Sequence, residues 1–267
     1  MAKHRRKWNE SVYRKYLCEG RGQGTGASYI PWLFVQDFPS KGMVSRVRGA
    51  KTGRIHHLMS DLETSFFFIL DWSEAVLDIR EQYPLLDLRQ IIEIAETAQI
   101  RYPYDRQSGF PYVMTSDFYI ETVNGPAVIA IKPSSDLENP RIREKLEIER
   151  RYWHKQNIRW RVVTENEISI IKARNIEWLS QAKDLGCLGI SKERQTLCNA
   201  YFKARHTCGV SLCDLFKETE TKFNLAPGAG LNVYKHLAYW KCIEVNVGET
   251  MDFADFMQSV AECARGS

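Results

Sequence analysis

The sequence lacks several features that would place it in a class at once. No apolar run among its 267 residues approaches the length that a bilayer-spanning helix needs. Its seven cysteines are odd in number and lack paired spacing, and no signal-peptide pattern is present. We therefore expect reduced thiols in a cytoplasm. His206, Cys208, Cys213 and Cys198 fit no familiar zinc spacing, so buried thiols are the preferred interpretation.

A nucleotide-binding loop is also missing. Glycine alternates with other residues from Gly20 to Gly26, but no Gly-Lys-Ser/Thr follows and no strand clearly precedes it. This argues against a loop that cradles nucleotide phosphates. A flexible, DNA-facing loop around Arg21 is the better interpretation.

A strong excess of one charge is absent overall but present locally. The net charge is +4, yet residues 1–60 contain 12 basic and 3 acidic residues, a charge of +9, which leaves −5 for the rest. Such a basic segment suits the phosphates of DNA. A solvated tail explains the first basic residues equally well, namely Lys3, Arg5, Arg6 and Lys7.

The most informative pattern that is present predicts a β-hairpin. Its arms are residues 112–122 and 127–132, and the intervening Val123–Pro126 contains Asn-Gly, a strong turn signal. Because Pro126 lacks the N–H that a strict two-residue hairpin would use, we predict a four-residue loop.

The predicted register brings a carboxylate and a lysine together. With Thr122 opposite Ala127, counting back along the arms sets Asp117 opposite Lys132. Facing residues share one side of a sheet. Four side chains should therefore project together: Asp117, Tyr119, Ala130 and Lys132.

This combination suits phosphodiester hydrolysis, which needs anionic oxygens for Mg²⁺, a backbone carbonyl ligand and a cation near the phosphate. Nucleases of the PD-(D/E)xK superfamily use such a hairpin with a third carboxylate from an upstream helix. The upstream candidate is Glu63, in the segment that begins at Ser60. Two ordinary interpretations compete: a surface salt bridge for the hairpin pair, and a helix-capping role for Glu63.

A longer series of segments, in order and at compatible spacing, resembles the TnsA family, the endonuclease subunits of heteromeric transposases from Tn-seven-like elements. The resemblance runs over most of residues 18–180 and rests on Glu19–Gly24, Tyr29–Trp32, Lys51–Leu58, Ser60–Glu63, Leu77–Gln82, Ser116–Phe118, Ile131–Pro133, Glu144–Trp153 and Asn175–Leu179.

The resemblance implies roles for individual residues. Asp117 and Glu63 would hold Mg²⁺, or Mn²⁺ in its place, with the carbonyl of Ile131 as a further ligand, and Lys132 would orient the attacking hydroxide. Ala130 stands where the superfamily usually has an acidic residue, but the resemblance implies a neutral residue there, as members of this family themselves carry one. Glu149 is the best substitute for that carboxylate. The predicted DNA contacts are Arg21, Lys51, Arg54, His56 and His57, with a base role as an alternative for the two histidines.

The resemblance also implies a bacterial cytoplasmic protein that cuts the 5′ strands at transposon ends. An integrase-type partner transposase, TnsB, would cut and join the 3′ strands, and an ATP-dependent regulator, TnsC, would couple both to target choice. Two alternatives stay open. One is a restriction-like endonuclease that acts alone, and the other is a non-catalytic DNA-binding scaffold.

Two domains are expected, an α/β restriction-endonuclease-like core over residues 1–166, with a basic, Gly-rich region at 1–50, and a winged-helix-like domain over 167–267. The predicted core elements are helices at 10–18, 60–72, 90–98 and 139–156 and strands at 76–79 and 158–164, besides the hairpin.

The winged-helix interpretation depends on helices at 212–223 and 231–239 and a strand at 241–247. Four residues on or near the second of these helices are candidates for DNA or protein contact: Lys235, His236, Tyr239 and Trp240.

Overall fold

The computed structural model describes residues 8–37 and 43–249. The first basic residues, for which DNA binding and a solvated tail are equally good interpretations, lie outside the described residues: Lys3, Arg5, Arg6 and Lys7. The chain forms two compact units, Met1–Ile168 and Ser169–Ser267. Within the described ranges, no helix has the length and apolar character needed to cross a membrane.

The first unit is a mixed α/β fold, which confirms the predicted class. A two-stranded antiparallel ribbon, β1–β2, precedes a four-stranded sheet of order β3-β4-β5-β6, in which only the β5–β6 pair is parallel. The elements are α1 (Glu10–Cys18), β1 (Ser45–Arg48), β2 (Ile55–Leu58), α2 (Asp61–Trp72), β3 (Val76–Pro84), α3 (Leu88–Thr97), β4 (Thr115–Thr122), β5 (Gly125–Ile131), α4 (Pro140–Lys155) and β6 (Arg159–Val163).

Local sequence signals account for the helix starts. Ser60, Asp87 and Asn139 are N-caps whose side chains accept hydrogen bonds from backbone N–H groups of the first turn. Pro140 follows at the first helical position, where its missing N–H costs nothing. The predicted starts of α2 and α4 are thereby confirmed.

The sheet is covered on both faces around the hairpin. Tyr119 and Val128 pack with Ile148 and Trp153 in a core formed with α3 and α4. Phe118, the next residue on β4, points to the other face, where its ring lies 6.1 Å from that of Phe66 on α2. Apolar residues therefore lie on both sides of the strands that carry the predicted site.

The hairpin register differs from the prediction by two residues. Thr122 pairs with Gly125 rather than with Ala127, and the loop is only Val123 and Asn124. The prediction of a four-residue loop is wrong because it assumed that Pro126, which lacks an N–H group, could not pair within the hairpin. Pro126 in fact pairs with Glu121, one step from the closing pair, and an antiparallel ladder leaves alternate pairs without hydrogen bonds. A shift of two residues preserves which side chains share a face.

The second unit is helical in its described part, with α5 (Ile170–Ser180), α6 (Lys192–Thr207), α7 (Leu212–Phe223) and α8 (Ala229–Tyr239). The predicted helices at α7 and α8 are confirmed. Helix α8 lies at the centre and contacts the other three. Phe202, Leu215, Val233 and Leu237 form part of its core.

The predicted strand at 241–247 is wrong. The amides of Lys241 and Cys242 donate to the carbonyls of Ala238 and Leu237, and Lys241 has a φ of 54°. This left-handed pattern ends α8 in a turn. Among described residues up to 249, no strand follows α8, so the winged-helix arrangement is not confirmed.

The α8 side chains proposed for DNA contact lie largely inside the second unit. Lys235 is buried, donates to Gln181 Oε1 at 2.9 Å and lies 4.1 Å from the Trp178 ring. Tyr239 is also buried, whereas Trp240 is exposed. A DNA-reading role for Lys235 and Tyr239 is therefore wrong.

Candidate active site

The predicted contact between Asp117 and Lys132 is present. Asp117 Oδ2 accepts hydrogen bonds from the Ile131 amide at 2.6 Å and from Lys132 Nζ at 2.9 Å. The same Nζ donates to the Ile131 carbonyl at 2.8 Å. Because of the altered register, Asp117 is level with Ala130 and reaches Lys132 diagonally. One ammonium thus bridges the carboxylate and the carbonyl that the sequence suggested as metal ligands.

The carboxylate environment determines the charge of Lys132. Partial burial disfavours the ammonium, but the nearby Asp117 carboxylate outweighs it, with smaller contributions from Glu63 and Glu149. The pKa of Lys132 is consequently raised above its ordinary value. Lys132 is therefore a fixed positive charge at this point of the sheet.

Glu63 has the local geometry of a helix cap and also lies within electrostatic range of Asp117. Its amide donates to Ser60 Oγ at 3.1 Å, and its Oε2 accepts from the Met59 amide at 3.0 Å. Burial first, and then the negative charge of Asp117, raise the pKa of Glu63 to about 7. The capping interpretation is thus realised, while the carboxylate remains close enough to repel Asp117.

Glu149 lies on α4 and is held against the sheet by neutral donors. Its Oε1 accepts from Ser116 Oγ at 2.7 Å and from Trp160 Nε1 at 3.0 Å. Burial, followed by the charge of Asp117, raises its pKa to about 7. Ala130, where an acidic residue was usual, is buried and apolar. Glu149 is a buried carboxylate within electrostatic range of Asp117, and its role as the substitute for that acidic residue stays a prediction.

A cleft of about 360 Å³ opens beside these residues. Asp117, Lys132, Lys145 and Glu149 contribute its charged lining. The rest of the lining is mainly apolar and comes from the segment before β4, from the first residue of β4 and from α4: Pro103, Tyr112, Val113, Met114, Thr115, Ile142 and Leu146. A substrate in this cleft would contact both the carboxylates and two lysines.

The donor chemistry suits a hard divalent cation. Glu63, Asp117 and Glu149 supply carboxylate oxygens and Ile131 a carbonyl oxygen, the ligands that Mg²⁺ prefers. Two of these carboxyl groups have raised pKa values partly because Asp117 repels them, and a cation would relieve that repulsion. Within residues 8–37 and 43–249, no three His, Cys, Asp or Glu side chains form a group that could hold a metal ion. Among the described residues the three carboxylates are therefore not gathered into a metal-binding group by themselves, and a metal site that also uses the Ile131 carbonyl stays a prediction.

Two of the predicted DNA contacts belong to a buried charge cluster instead. Arg54 donates to Glu81 Oε1 at 2.7 Å and to the Ile79 carbonyl at 2.8 Å, and His56 Nδ1 lies 2.8 Å from Glu81 Oε2. His56 and Glu81 are fully buried and Arg54 nearly so. Glu81 thus holds both side chains in the interior, and DNA contact by Arg54 and His56 stays a prediction.

Arg21 is also structural. It is 5% exposed, donates to the Trp32 carbonyl at 3.0 Å and to Asp37 Oδ2 at 2.6 Å, and lies 3.5 Å from the centre of the Tyr16 ring. This arginine ties the glycine-rich segment to its neighbours, and DNA contact by Arg21 stays a prediction.

Lys51 and His57 are half-buried. The Lys51 amide donates to Asp71 Oδ1 at 3.1 Å, and the His57 ring lies 4.9 Å from that of Phe34. Burial lowers the pKa of His57. DNA contact by these two residues stays a prediction.

Sequence reasoning missed the polar residues that hold the carboxylates in place. Ser116 joins Glu149 to Trp153, whose Nε1 donates to Ser116 Oγ at 2.8 Å. Gln82 donates to Glu63 Oε2 at 3.3 Å. Ser116 and Gln82 do fall within the segments that resemble the family, which was the available signal.

Comparisons with known proteins cover both units. A family described as "TnsA-like endonuclease N terminal" matches residues 73–165, and one described as "TnsA endonuclease C terminal" matches residues 167–247. The chain is 46% identical over 188 residues to the Escherichia coli protein "Transposon Tn7 transposition protein TnsA". That alignment spans 68% of this chain and 67% of the relative.

Proposed function

The chain belongs to the TnsA family of transposition endonucleases, and we propose that it hydrolyses the 5′ strands at transposon ends in a Mg²⁺-dependent reaction. The observation that carries this proposal is the contact of Asp117 with Lys132 and Ile131 on one hairpin. It unites an anion, a carbonyl ligand and a cation at the wall of a cleft.

Asp117 and Glu63 would hold the cation together with the Ile131 carbonyl, and Glu149 would supply a further carboxylate. Bound there, Mg²⁺ would act as a Lewis acid on the phosphate and lower the pKa of a bound water. Lys132 would donate to the attacking hydroxide or to a phosphate oxygen, and its positive charge would offset the charge that develops on phosphorus. The hydrogen bonds of Asp117 to the hairpin keep these groups together at one end of the two central strands.

The division of labour is part of the proposal. A chain that cuts only one strand needs a second enzyme, and we propose TnsB, an integrase-type transposase, which cuts and joins the 3′ strands. An ATP-dependent regulator, TnsC, would couple cleavage to target choice. A nuclease that acts alone would instead nick DNA in the absence of partners. A scaffold without activity would not need Glu63, Asp117 and Lys132 in one place.

The decisive experiment measures strand cleavage on DNA that carries a transposon end, with and without the partner transposase. We expect Mg²⁺-dependent cutting of the 5′ strand, abolished by EDTA. Asp117→Ala and Asp117→Asn should lower the rate by more than about 100-fold, beyond the loss typical for residues that only support metal ligands. Asp61→Asn, an exposed change on the same helix as Glu63, is the matched control. Full activity of either Asp117 variant would exclude this hairpin as the active site.

A further inference from the structure

Gln82 has an unusual backbone conformation for its place in the fold. It lies within β3, is 4% exposed and has a φ of 48°. Residues other than glycine rarely adopt this left-handed region, and they keep it only where their surroundings hold them there. Its carbonyl accepts a hydrogen bond from the Trp32 amide at 3.3 Å, which fixes the backbone from one side.

The side chain of Gln82 connects two parts of the candidate site. Its Nε2 donates to Glu63 Oε2 at 3.3 Å, and its Oε1 accepts from Thr115 Oγ1 at 3.1 Å. The amide nitrogen thus faces Glu63 and the amide oxygen faces the Thr115 hydroxyl, so both ends of the amide are used.

The strand register places this bridge level with the central carboxylate. Glu81 pairs with Phe118 and Tyr83 pairs with Ser116, so Gln82 lies opposite Asp117. The other donors to Glu63 are the Met59 amide and the Ser60 hydroxyl, both at the start of its own helix. Gln82 differs from them because it links the Glu63 carboxylate to the sheet.

We propose that Gln82 is a positioning residue that holds the Glu63 carboxylate beside Asp117, so that both can bind one divalent cation. This inference rests on the proposed function. The two donors from its own helix hold Glu63 as a helix cap, whereas the amide of Gln82 orients it toward the level of Asp117. With this positive φ, the side-chain amide of Gln82 lies between Glu63 and Thr115.

The test uses two variants of the full-length chain and one matched control. Gln82→Met keeps the length of the side chain and removes its hydrogen bonds. Gln82→Asn tolerates the left-handed φ but is one methylene shorter, so it cannot reach both partners. Gln99→Met is the control, because Gln99 also has a positive φ, 56°, but is exposed at the end of α3. Mn²⁺ binding is measured by calorimetry, and nicking is measured against Mg²⁺ concentration.

We expect both Gln82 variants to bind Mn²⁺ about tenfold or more weakly, the usual effect of losing a partner of a metal ligand. The Mg²⁺ concentration for half-maximal nicking should rise in parallel, and the rate should recover in part at saturating Mg²⁺. If Gln82 had only a structural role, its variants would have a lower melting temperature, but their Mn²⁺ affinity and the Mg²⁺ concentration for half-maximal nicking would be unchanged. Unchanged Mn²⁺ affinity in both variants would overturn the inference. A wild-type chain that binds no Mn²⁺ and nicks without metal would overturn the proposed function, and this inference with it.

Discussion

Single carboxylates in this protein serve structure and chemistry at once. Glu63 caps α2, and yet it lies within electrostatic range of Asp117. Glu81 is equally buried but is paired with Arg54 and His56. The partners of each carboxylate therefore decide whether its charge is available to a substrate or is consumed within the fold.

Glu63→Gln separates the capping role from the metal-binding role. The amide can still accept from the Met59 amide, so the free energy of unfolding should change by about 1 kcal/mol or less. Cleavage should be lost, because a neutral amide cannot balance the charge of Mg²⁺. Nicking and thermal melting are measured on one preparation. A variant that cuts at the wild-type rate would leave Glu63 as a cap only.

Glu81→Gln tests the buried charge cluster. Burial opposes its ionisation, but hydrogen bonds from Arg54 and His56 outweigh burial and lower the pKa of Glu81 from 4.5 to about 2. A lowered pKa stabilises the fold above the unfolded pKa, and the stabilisation is lost as pH falls toward about 2. We expect the variant to lose about 3–5 kcal/mol at pH 7, because Arg54 is left buried without its partner.

The stability difference between the wild type and Glu81→Gln should become smaller as the pH is lowered from 4.5 toward 2. Urea unfolding at pH 7 and pH 3 measures it. Glu147→Gln is the matched control: its pKa is also lowered to about 2, by Arg150 and Arg151, but those partners are exposed. The control should cost no more than about 1 kcal/mol. Equal losses for the two variants would contradict the assigned importance of burial.

At the scale of elements, β4 and α4 are joined by polar side chains under the candidate site. Ser116 is fully buried, donates to Glu149 and accepts from Trp153. Trp160 of β6 donates to the same Glu149 oxygen. The position of Glu149 thus depends on two strands as well as on its own helix.

Ser116→Ala should weaken this connection. It leaves the buried Trp153 N–H without its acceptor and removes one of two donors to Glu149, so we expect a loss of about 1–3 kcal/mol. Trp160→Phe, which removes only the other donor, should cost less, because Trp160 is only half-buried. Denaturant unfolding of both variants provides the comparison. A Ser116→Ala protein as stable as wild type would show that the buried contact is replaceable.

Local signals explain which elements could be predicted from the sequence. The starts of α2 and α4 follow from Ser60 and from Asn139-Pro140, because capping depends on neighbouring residues alone. The face shared by Asp117 and Lys132 also follows, because it depends on strand alternation. The hairpin register does not, since it depends on whether Pro126 can enter the ladder.

Contacts between residues that are distant in the sequence could not be predicted from local sequence patterns. Arg21, Arg54 and Lys235 have the sequence appearance of exposed cations, but Asp37, Glu81 and Gln181 bind them inside the fold. The missing strand after α8 follows from a left-handed Lys241, which no local pattern required. The catalytic assignments of Glu63, Asp117, Lys132 and Glu149 stay predictions.

At the scale of the whole molecule, the net charge of +4 is too small to hold DNA through the entire surface. Basic residues are concentrated in residues 1–60, and two lysines line the cleft of the first unit. Such a local excess of positive charge suits DNA phosphates, although Arg21 and Arg54, which are counted in it, are held inside the fold. The proposed division of labour between the two strands does not follow from charge and needs its own test.

An Asp117→Ala strain tests that division of labour. Under the proposed function, the partner still cuts the 3′ strands and joins them to target DNA, because the variant changes charge inside the cleft and not the surfaces used for assembly. The element then stays attached to donor DNA through its uncut 5′ strands. Replication across that branched product should yield cointegrates in place of simple insertions, and sequencing of the products measures their ratio. An Asp61→Asn strain should give simple insertions as the wild type does. Clean cut-and-paste insertions at normal frequency from the Asp117→Ala strain would mean that another subunit cuts the 5′ strands.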